Sequence, residues 1–169
     1  MLYNTAVMEP RIQYAKASDG VNIAFWTLGE GMPLVHMGGL GAGHIELEWQ
    51  LPECQRWYER LAAGRKLVRY DTRGTGLSDR NVEDLTLEAQ VLDLQAVCDR
   101  LGLQTFALCG LMHSGPVAIA YAARCPERVS HLILWNTYAQ SSEWTQQPTV
   151  QSVRALMDKD WTFYTEAMA

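Results

Sequence analysis

The sequence lacks the features that mark membrane-spanning, exported and nucleic-acid-binding chains. Its longest apolar stretches, such as VAIAYAA, fall far short of the roughly 20 residues that a membrane span needs. The first residues hold no apolar segment behind a basic flank, so no export signal is predicted. The formal net charge of -5 includes no long run of one sign. We therefore expect a cytoplasmic protein that binds neither nucleic acid nor a membrane.

Cysteine is scarce and scattered, which argues against a disulfide framework and against a metal site. The four cysteines lie far apart, inside predicted helices or a strand, and are expected to be reduced core residues; they are Cys54, Cys98, Cys109 and Cys125. No metal and no cofactor are predicted. A small-molecule ligand or substrate remains compatible with the composition, because nearly half of the 169 residues are hydrophobic, as in a globular domain.

Apolar runs of strand length alternate with longer segments of helical period, which predicts an α/β fold with a mostly parallel sheet. Two runs around the Asp19-Gly20 turn predict an antiparallel hairpin over residues 11–29. Helical period returns in residues 153–169, after a polar stretch over residues 140–152. Between these ends, strands are predicted at 33–37, 66–71, 105–110 and 129–135, and helices at 51–64, from a cap at Thr86, and at 115–125.

Two loops follow predicted strands and carry several glycines. MGGLGAGH, residues 37–44, lets backbone N–H groups approach a ligand closely, although its spacing matches neither a phosphate loop nor a dinucleotide motif. A merely flexible turn is the alternative. YDTRGTGLSDR, residues 70–80, places Asp71 and Asp79 around a tight turn where side chains can bond to nearby backbone. We interpret this second loop as structural.

The stretch CGLMHSGPVAIAYAARCPERV, Cys109–Val129, has the pattern of a nucleophile elbow, in which a strand turns sharply into a helix. Together with TFALCG, HLIL and YDTRGTGLSDR, it resembles the α/β-hydrolase superfamily over nearly the whole chain. The resemblance is nearest to hydrolase-like modules found alone or attached to bacterial adenylate cyclases and regulators. It implies a three-layer α/β sandwich and a hydrolase acting on a small ester or acyl substrate.

The elbow departs from the family pattern at its central residue. Aligning the helix sets Gly110 as the first glycine and Met112 at the nucleophile position, with Ser114 in place of the next glycine. A thioether has no proton to lose, so Met112 cannot form an acyl-enzyme. Two alternatives stay open: Ser114 acts as the nucleophile, or His113 activates a water molecule.

The other members of the catalytic triad are also missing from their expected places. The family places its acid and its histidine after the last strands. Asn136 follows the sixth strand, where some members carry an acid. None of His36, His44 and His131 matches the position of the base. The standard serine mechanism is therefore expected to be absent.

By resemblance, the oxyanion donors would be the backbone N–H groups of His113 and of Leu40 or Gly39. A small apolar ligand would then lie in a pocket above the elbow. Its predicted lining is Leu40, His44, Met112 and Trp135.

The resemblance also implies that the sheet is truncated after strand six. Residues 1–139 would form an incomplete hydrolase core, and residues 140–169 the start of a lid or an exchanged helical arm. Strand six would leave an open edge, so we expect a homodimer or pairing with another chain. Three functions stay open: a hydrolase with weak or altered activity, a non-catalytic binding or signalling module, and one half of a longer or two-chain hydrolase.

Overall fold

A six-stranded sheet organises the computed structural model, which describes residues 9–38, 43–140, 142 and 145–163. The strand order is β1-β2-β4-β3-β5-β6. The first hairpin and the β2–β4 pair are antiparallel, whereas β4–β3, β3–β5 and β5–β6 are parallel. The predicted α/β fold with a mostly parallel sheet is thus confirmed. The strands are β1 Gln13–Lys16, β2 Asn22–Leu28, β3 Met32–His36, β4 Arg65–Tyr70, β5 Phe106–Leu111 and β6 Val129–Trp135.

Helices cover both faces of the sheet, in the three-layer arrangement that was expected. They are α1 Ile45–Gln50, α2 Pro52–Ala62, α3 Leu87–Arg100 and α4 Gly115–Arg124. A fifth described helix, α5, covers Pro148–Lys159. Because side chains alternate along a strand, neighbouring residues of β2 enter different cores. Phe25 packs in the core that includes α3 and α4, whereas Trp26 packs in the core that includes α1 and α2.

Two helices differ from the sequence prediction. Helix α1 was not foreseen, and Leu51 separates it from α2 with an extended backbone, φ -84° and ψ 119°. Pro52 explains the break, because a proline disfavours the helical conformation of the residue before it. Helix α5 begins at Pro148, within the stretch interpreted from sequence as irregular, and proline is well tolerated in the first helical turn.

Contacts divide the chain into two compact units, Met1–Thr137 and Tyr138–Ala169. The first contains the whole sheet. In the second unit, which contains α5, the Ser152 hydroxyl donates a hydrogen bond to the Pro148 carbonyl oxygen at 2.9 Å. A lid or an exchanged arm remains a prediction for residues 140–169. Among the described residues, no helix combines the length and apolarity needed to cross a membrane.

The loop after β4 is tied to the rest of the first unit by a buried ion pair. Arg73 donates from Nε to Asp93 Oδ1 at 2.9 Å and from its backbone N–H to Asp93 Oδ2 at 3.0 Å. The Arg73 and Asp93 side chains are 1% and 0% exposed. Arg73 also donates to Asp19 in the hairpin turn, at 2.7 Å. These contacts agree with a structural role for the loop.

We expect Asp93→Ala to lower the free energy of unfolding by about 3–5 kcal/mol, because it leaves the Arg73 cation buried without its carboxylate. Urea titration followed by circular dichroism measures the change. Glu53→Ala is the control, since its pair with Arg56 is exposed to solvent, and a change below about 1 kcal/mol is expected there. Equal losses in both variants would contradict a special role for the buried pair.

Candidate active site

A sharp turn joins β5 to α4 at the centre of the parallel strands. Strand β5 ends at Leu111, a single 3₁₀ turn covers Met112–Ser114, and α4 begins at Gly115. Met112 has φ 47°, a left-handed conformation that costs a side-chain-bearing residue about 1–2 kcal/mol. Residue 112 therefore forms the tip of the turn, as the alignment of the helix predicted.

Two glycines make this turn possible because the chain leaves no room for a side chain at either position. A Cβ on Gly110 would lie 2.8 Å from the Ala118 Cβ of α4. A Cβ on Gly115 would overlap the Thr137 side chain. The small residues around the tip are thus required by the close packing of α4 against β5 and of the chain that follows β6.

Ser114 is 7% exposed, and its hydroxyl bonds to the backbone inside the turn. Its Oγ accepts a hydrogen bond from the Leu111 N–H and donates one to the Leu111 carbonyl oxygen, both at 2.8 Å. Attack on a substrate by this hydroxyl would require these contacts to break. In the observed arrangement Ser114 acts as a brace that closes the turn.

An apolar cleft of about 360 Å³ lies over the tip of the turn. Its described lining carries one polar side chain, that of Asn136, and no charged side chain; the lining residues are Trp57, Leu111, Met112, Trp135 and Asn136. Trp57 and Trp135 meet edge to face, with ring centroids 5.9 Å apart and ring planes at 66°. The two indole rings thus form an aromatic wall contributed by α2 and β6.

Backbone strain is concentrated at this cleft. In the described part of the chain, the residues other than glycine with positive φ are Met112 and Asn136, at 47° and 48°. Both line the cleft, and each follows the end of its strand in the parallel β5–β6 pair. Such strain persists where the surrounding structure fixes it, and it is enriched at functional sites.

A smaller cavity of about 60 Å³ lies beside the turn, with Gly38, Asp71, His113 and Ser114 in its wall. Asp71 accepts hydrogen bonds from the Ile45 and Leu77 N–H groups, at 3.0 and 2.9 Å. Burial raises the pKa of Asp71 against the opposing effect of these two N–H groups. Both carboxylate oxygens therefore hold loops in place, as the structural interpretation of residues 70–80 predicted.

The structure brings together some of the predicted site residues. Met112 and Trp135 share the apolar cleft, whereas His113 and Ser114 line the polar cavity. His44 lies outside the described lining of the cleft: it caps α1 by accepting from the Leu47 N–H at 3.4 Å. The predicted residues Gly39 and Leu40 lie outside the described residues.

Sequence reasoning missed the contribution of Trp57 to the cleft. The residue stands in an apolar repeat of helical spacing within the helix predicted at 51–64, and it is 39% exposed. Helical spacing alone could not distinguish a Trp57 side chain packed in the core from one that lines a cleft. The sequence feature that could have indicated this contribution is the position of a large aromatic residue at the margin of the helix's apolar face.

Comparison with known proteins identifies the family. A family model described as the alpha/beta hydrolase fold matches residues 34–168. The chain belongs to the α/β-hydrolase family. Similar curated proteins and a similar solved structure carry hydrolase and esterase names, so the superfamily recognised from the elbow and its flanking motifs is confirmed.

Relatives of known sequence or structure extend well beyond the region that they share with this hydrolase-family chain. The AB hydrolase superfamily protein YisY of Bacillus subtilis (strain 168) is 30% identical over 111 residues, covering 66% of this chain and 39% of the relative. The 2-hydroxymuconate semialdehyde hydrolase of Pseudomonas sp. (strain CF600) is 28% identical over 167 residues, covering 92% and 56%. The chain thus spans about half the length of these relatives.

A solved structure supports the same fold. The esterase RhEst1 from Rhodococcus sp. ECU1013 superposes with a TM-score of 0.66 at 26% sequence identity, covering 76% of this chain and 46% of the esterase. The shared part amounts to less than half of the esterase.

In this α/β-hydrolase chain, a buried polar cluster underlies the start of the glycine loop. Arg69 Nη1 donates to the His36 carbonyl oxygen at 3.0 Å, and Nη2 donates to the Glu48 carboxylate. The same carboxylate accepts from the Tyr58 hydroxyl at 2.6 Å. Burial opposes ionisation of Glu48, but Arg69 and Tyr58 outweigh it and hold its pKa below the ordinary value. The cluster fixes the exit of β3, just before Gly38.

His36 is buried beside this cluster, 5% exposed. Within the described part of the chain, neither ring nitrogen has a hydrogen-bond partner. Burial, reinforced by the positive charge of Arg69, lowers the pKa of His36 to about 3. The imidazole is therefore neutral in the folded protein near neutral pH and is unsuited to proton transfer there.

This buried imidazole predicts a loss of stability in mild acid. The unfolded chain binds a proton at His36 below about pH 6.5, whereas the folded chain does so only near pH 3, so stability falls as the pH falls through that window. Between pH 6.5 and 5 the contribution is about 2 kcal/mol. We expect His36→Phe, which keeps an aromatic ring, to lose this part of the pH dependence in urea titrations. Parallel pH profiles for the variant and the parent would contradict the assignment.

Proposed function

We propose that this protein binds a small uncharged ester or acyl compound in the cleft over Met112, and that it forms no acyl-enzyme at residue 112. The observation that carries the proposal is the position of Met112, which forms the left-handed tip of the elbow and also lines the cleft. The family's serine would stand at this tip. A thioether at the same place can contact a ligand but cannot be deprotonated to attack it.

The lining of the cleft supports an uncharged ligand. Among the described lining residues, aromatic, aliphatic and thioether groups surround a single amide, that of Asn136. A charged ligand would lose its hydration there without gaining a partner of opposite charge. The volume of about 360 Å³ falls in the range of small-molecule sites, about 300–1,000 Å³.

The contacts of Ser114 support a route without a serine nucleophile. Its hydroxyl forms hydrogen bonds with the N–H and the carbonyl oxygen of Leu111. These two bonds close the turn of the elbow. The acyl class of ligand is suggested by the relatives, which include a semialdehyde hydrolase and an esterase.

We expect 4-nitrophenyl butyrate to quench tryptophan fluorescence saturably, because Trp57 and Trp135 line the cleft, with no nitrophenolate release above the buffer blank. Trp135→Ala should weaken binding at least about fivefold, in keeping with the loss of an aromatic anchor. Leu47→Ala, a truncation of an exposed side chain on α1, should leave the affinity unchanged.

Intact mass after incubation with a fluorophosphonate distinguishes the alternatives in the same preparation. We expect no adduct, because the reagent labels serines that are activated as nucleophiles. A stoichiometric adduct mapping to Ser114, with ester turnover lost in Ser114→Ala, would overturn the proposal and establish Ser114 as the nucleophile.

A second candidate function is favoured by the open edge of the sheet. Strand β6 ends the sheet, and within the described residues no strand pairs with its outer side. Four of its apolar residues are 39–56% exposed, namely Leu132, Ile133, Leu134 and Trp135. The strand has no Asp, Glu, Lys or Arg, the side chains with which edge strands commonly avoid pairing. The chain would then supply one part of a hydrolase whose remaining strands come from elsewhere.

For this candidate we propose first a homodimer in which β6 of one copy covers β6 of the other. Light scattering should give twice the mass of the chain, and Ile133→Lys should shift the protein to the monomer, because a charge on an edge strand opposes pairing. Ser130→Ala on the same strand is the control and should leave the dimer intact. A stable monomer with a high melting temperature would contradict the homodimer.

A further inference from the structure

The segment that follows β6 folds back onto the elbow through one side chain. The Thr137 hydroxyl donates a hydrogen bond to the carbonyl oxygen of Met112, 25 residues away along the chain. The same side chain occupies the space beside Gly115 where a Cβ would otherwise lie. We propose that Thr137 is a positioning residue, which clasps the elbow and fixes the direction of the His113 backbone N–H.

The geometry of the peptide group explains how a hydrogen bond to the Met112 carbonyl oxygen sets the direction of the His113 N–H. The Met112 carbonyl and the His113 N–H belong to one peptide unit, which is planar and trans. A hydrogen bond that holds the carbonyl oxygen in place therefore also sets the orientation of the N–H on the opposite side of the unit. By family resemblance this N–H is an oxyanion donor, so Thr137 acts on the donor without contacting a ligand itself.

Backbone strain near both ends of the hydrogen bond between Thr137 and Met112 agrees with the proposed positioning role of Thr137. Strands β5 and β6 pair in parallel with Leu111 opposite Trp135, so Met112 and Asn136 occupy equivalent places just beyond the paired ends. Both adopt the left-handed conformation. The turn at Asn136 redirects the chain out of the sheet, and the next residue, Thr137, then reaches the Met112 carbonyl. The hydrogen bond thus joins the strained residue Met112 to Thr137, the residue that directly follows the strained Asn136.

The packing at Gly115 is a separate observation that points to the same residue. Gly115 has φ -57° and ψ -46°, an ordinary helical conformation that any residue can adopt. The requirement for glycine is therefore one of space, and the Thr137 side chain fills that space. Thr137 contacts both the tip of the elbow and the first residue of α4.

Ser114 braces the same turn from inside, through the Leu111 backbone, whereas the Met112 carbonyl oxygen accepts from the Gly115 N–H and from the Thr137 hydroxyl. The two hydroxyls thus hold successive peptide groups of the elbow. Removing the Thr137 hydroxyl should loosen the peptide between residues 112 and 113, which then keeps the Gly115 N–H as a partner, while the Ser114 contacts remain.

The experiment compares Thr137→Val, which removes the hydroxyl at nearly constant volume, with Thr137→Ser, which retains it. The readouts in the absence of any ligand are the His113 amide and Met112 methyl resonances in isotope-labelled protein. We expect both resonances to shift and broaden in Thr137→Val and to remain close to their parent positions in Thr137→Ser. Thr27→Val is the matched control, because β2 is separated from β5 by two intervening strands.

A second readout rests on the proposed function. Binding of 4-nitrophenyl butyrate, followed by tryptophan fluorescence, should weaken about five- to tenfold in Thr137→Val and recover in Thr137→Ser, as expected for loss of one hydrogen bond that orients a site. If the two resonances shift in Thr137→Val but its affinity for 4-nitrophenyl butyrate does not change, the positioning role of Thr137 is supported. The proposed placement of the ligand over the elbow is then wrong.

Unchanged His113 and Met112 resonances in folded Thr137→Val would overturn the clasp, as would a Thr137→Ser spectrum that departs as far as that of Thr137→Val. If Thr137→Val does not fold, the double variant Asn136→Gly with Thr137→Val takes its place. Glycine adopts the left-handed conformation without strain and restores stability without restoring the hydroxyl. The same two resonances should still shift in the double variant.

Discussion

The left-handed turn at Met112 is the constraint on which the arrangement of this protein depends. A buried parallel strand passes directly into a helix, and the helix packs so closely that a Cβ on Gly110 would lie 2.8 Å from Ala118. The residue at the tip therefore projects from the end of the sheet into the cleft. Since a left-handed conformation is unfavourable for methionine, the neighbouring packing must maintain it. The site is a consequence of how α4 and β5 meet.

Buried charge fixes the loops around that turn. Arg73 and Asp93 connect the loop after β4 to α3, and Arg69 connects β3, β4 and α1 through the His36 carbonyl and Glu48. Ion pairs of this kind recover the cost of desolvation only when their geometry is good. In this protein the ion pairs fix the positions of the loops at the carboxyl end of the parallel strands, where α/β proteins bind their ligands.

The two edges of the sheet have different characters. Strand β1 forms a short antiparallel edge with Lys16 at its end, whereas β6 is an apolar parallel strand with both faces partly open to solvent. The cleft lies at this second edge, where Trp57 and Trp135 form one of its walls. Any element that extends the sheet beyond β6 would therefore also alter the wall of the cleft. The proposed ligand site and the proposed pairing edge would therefore share Trp135.

Local patterns in the sequence determined the fold class, the hairpin, the strands, the cap at Thr86 and the register that puts Met112 at the tip of the turn. These features depend on periodicity, capping and steric limits that act within a few residues. The break at Leu51 also has a local cause, in Pro52, although the helical spacing around it concealed α1. The motif resemblance extended this information to the family.

Only the tertiary structure decided which side chains meet at the site. Trp57 on α2 meets Trp135 on β6 at the cleft, His44 caps a helix, and Thr137 reaches an elbow that lies 25 residues before it. Such contacts depend on strand order and on the path of the chain after β6, and no spacing in the sequence encodes them. The sequence therefore determined which residue stands at the tip of the turn, whereas the packing of distant segments decided what surrounds that residue and holds it in place.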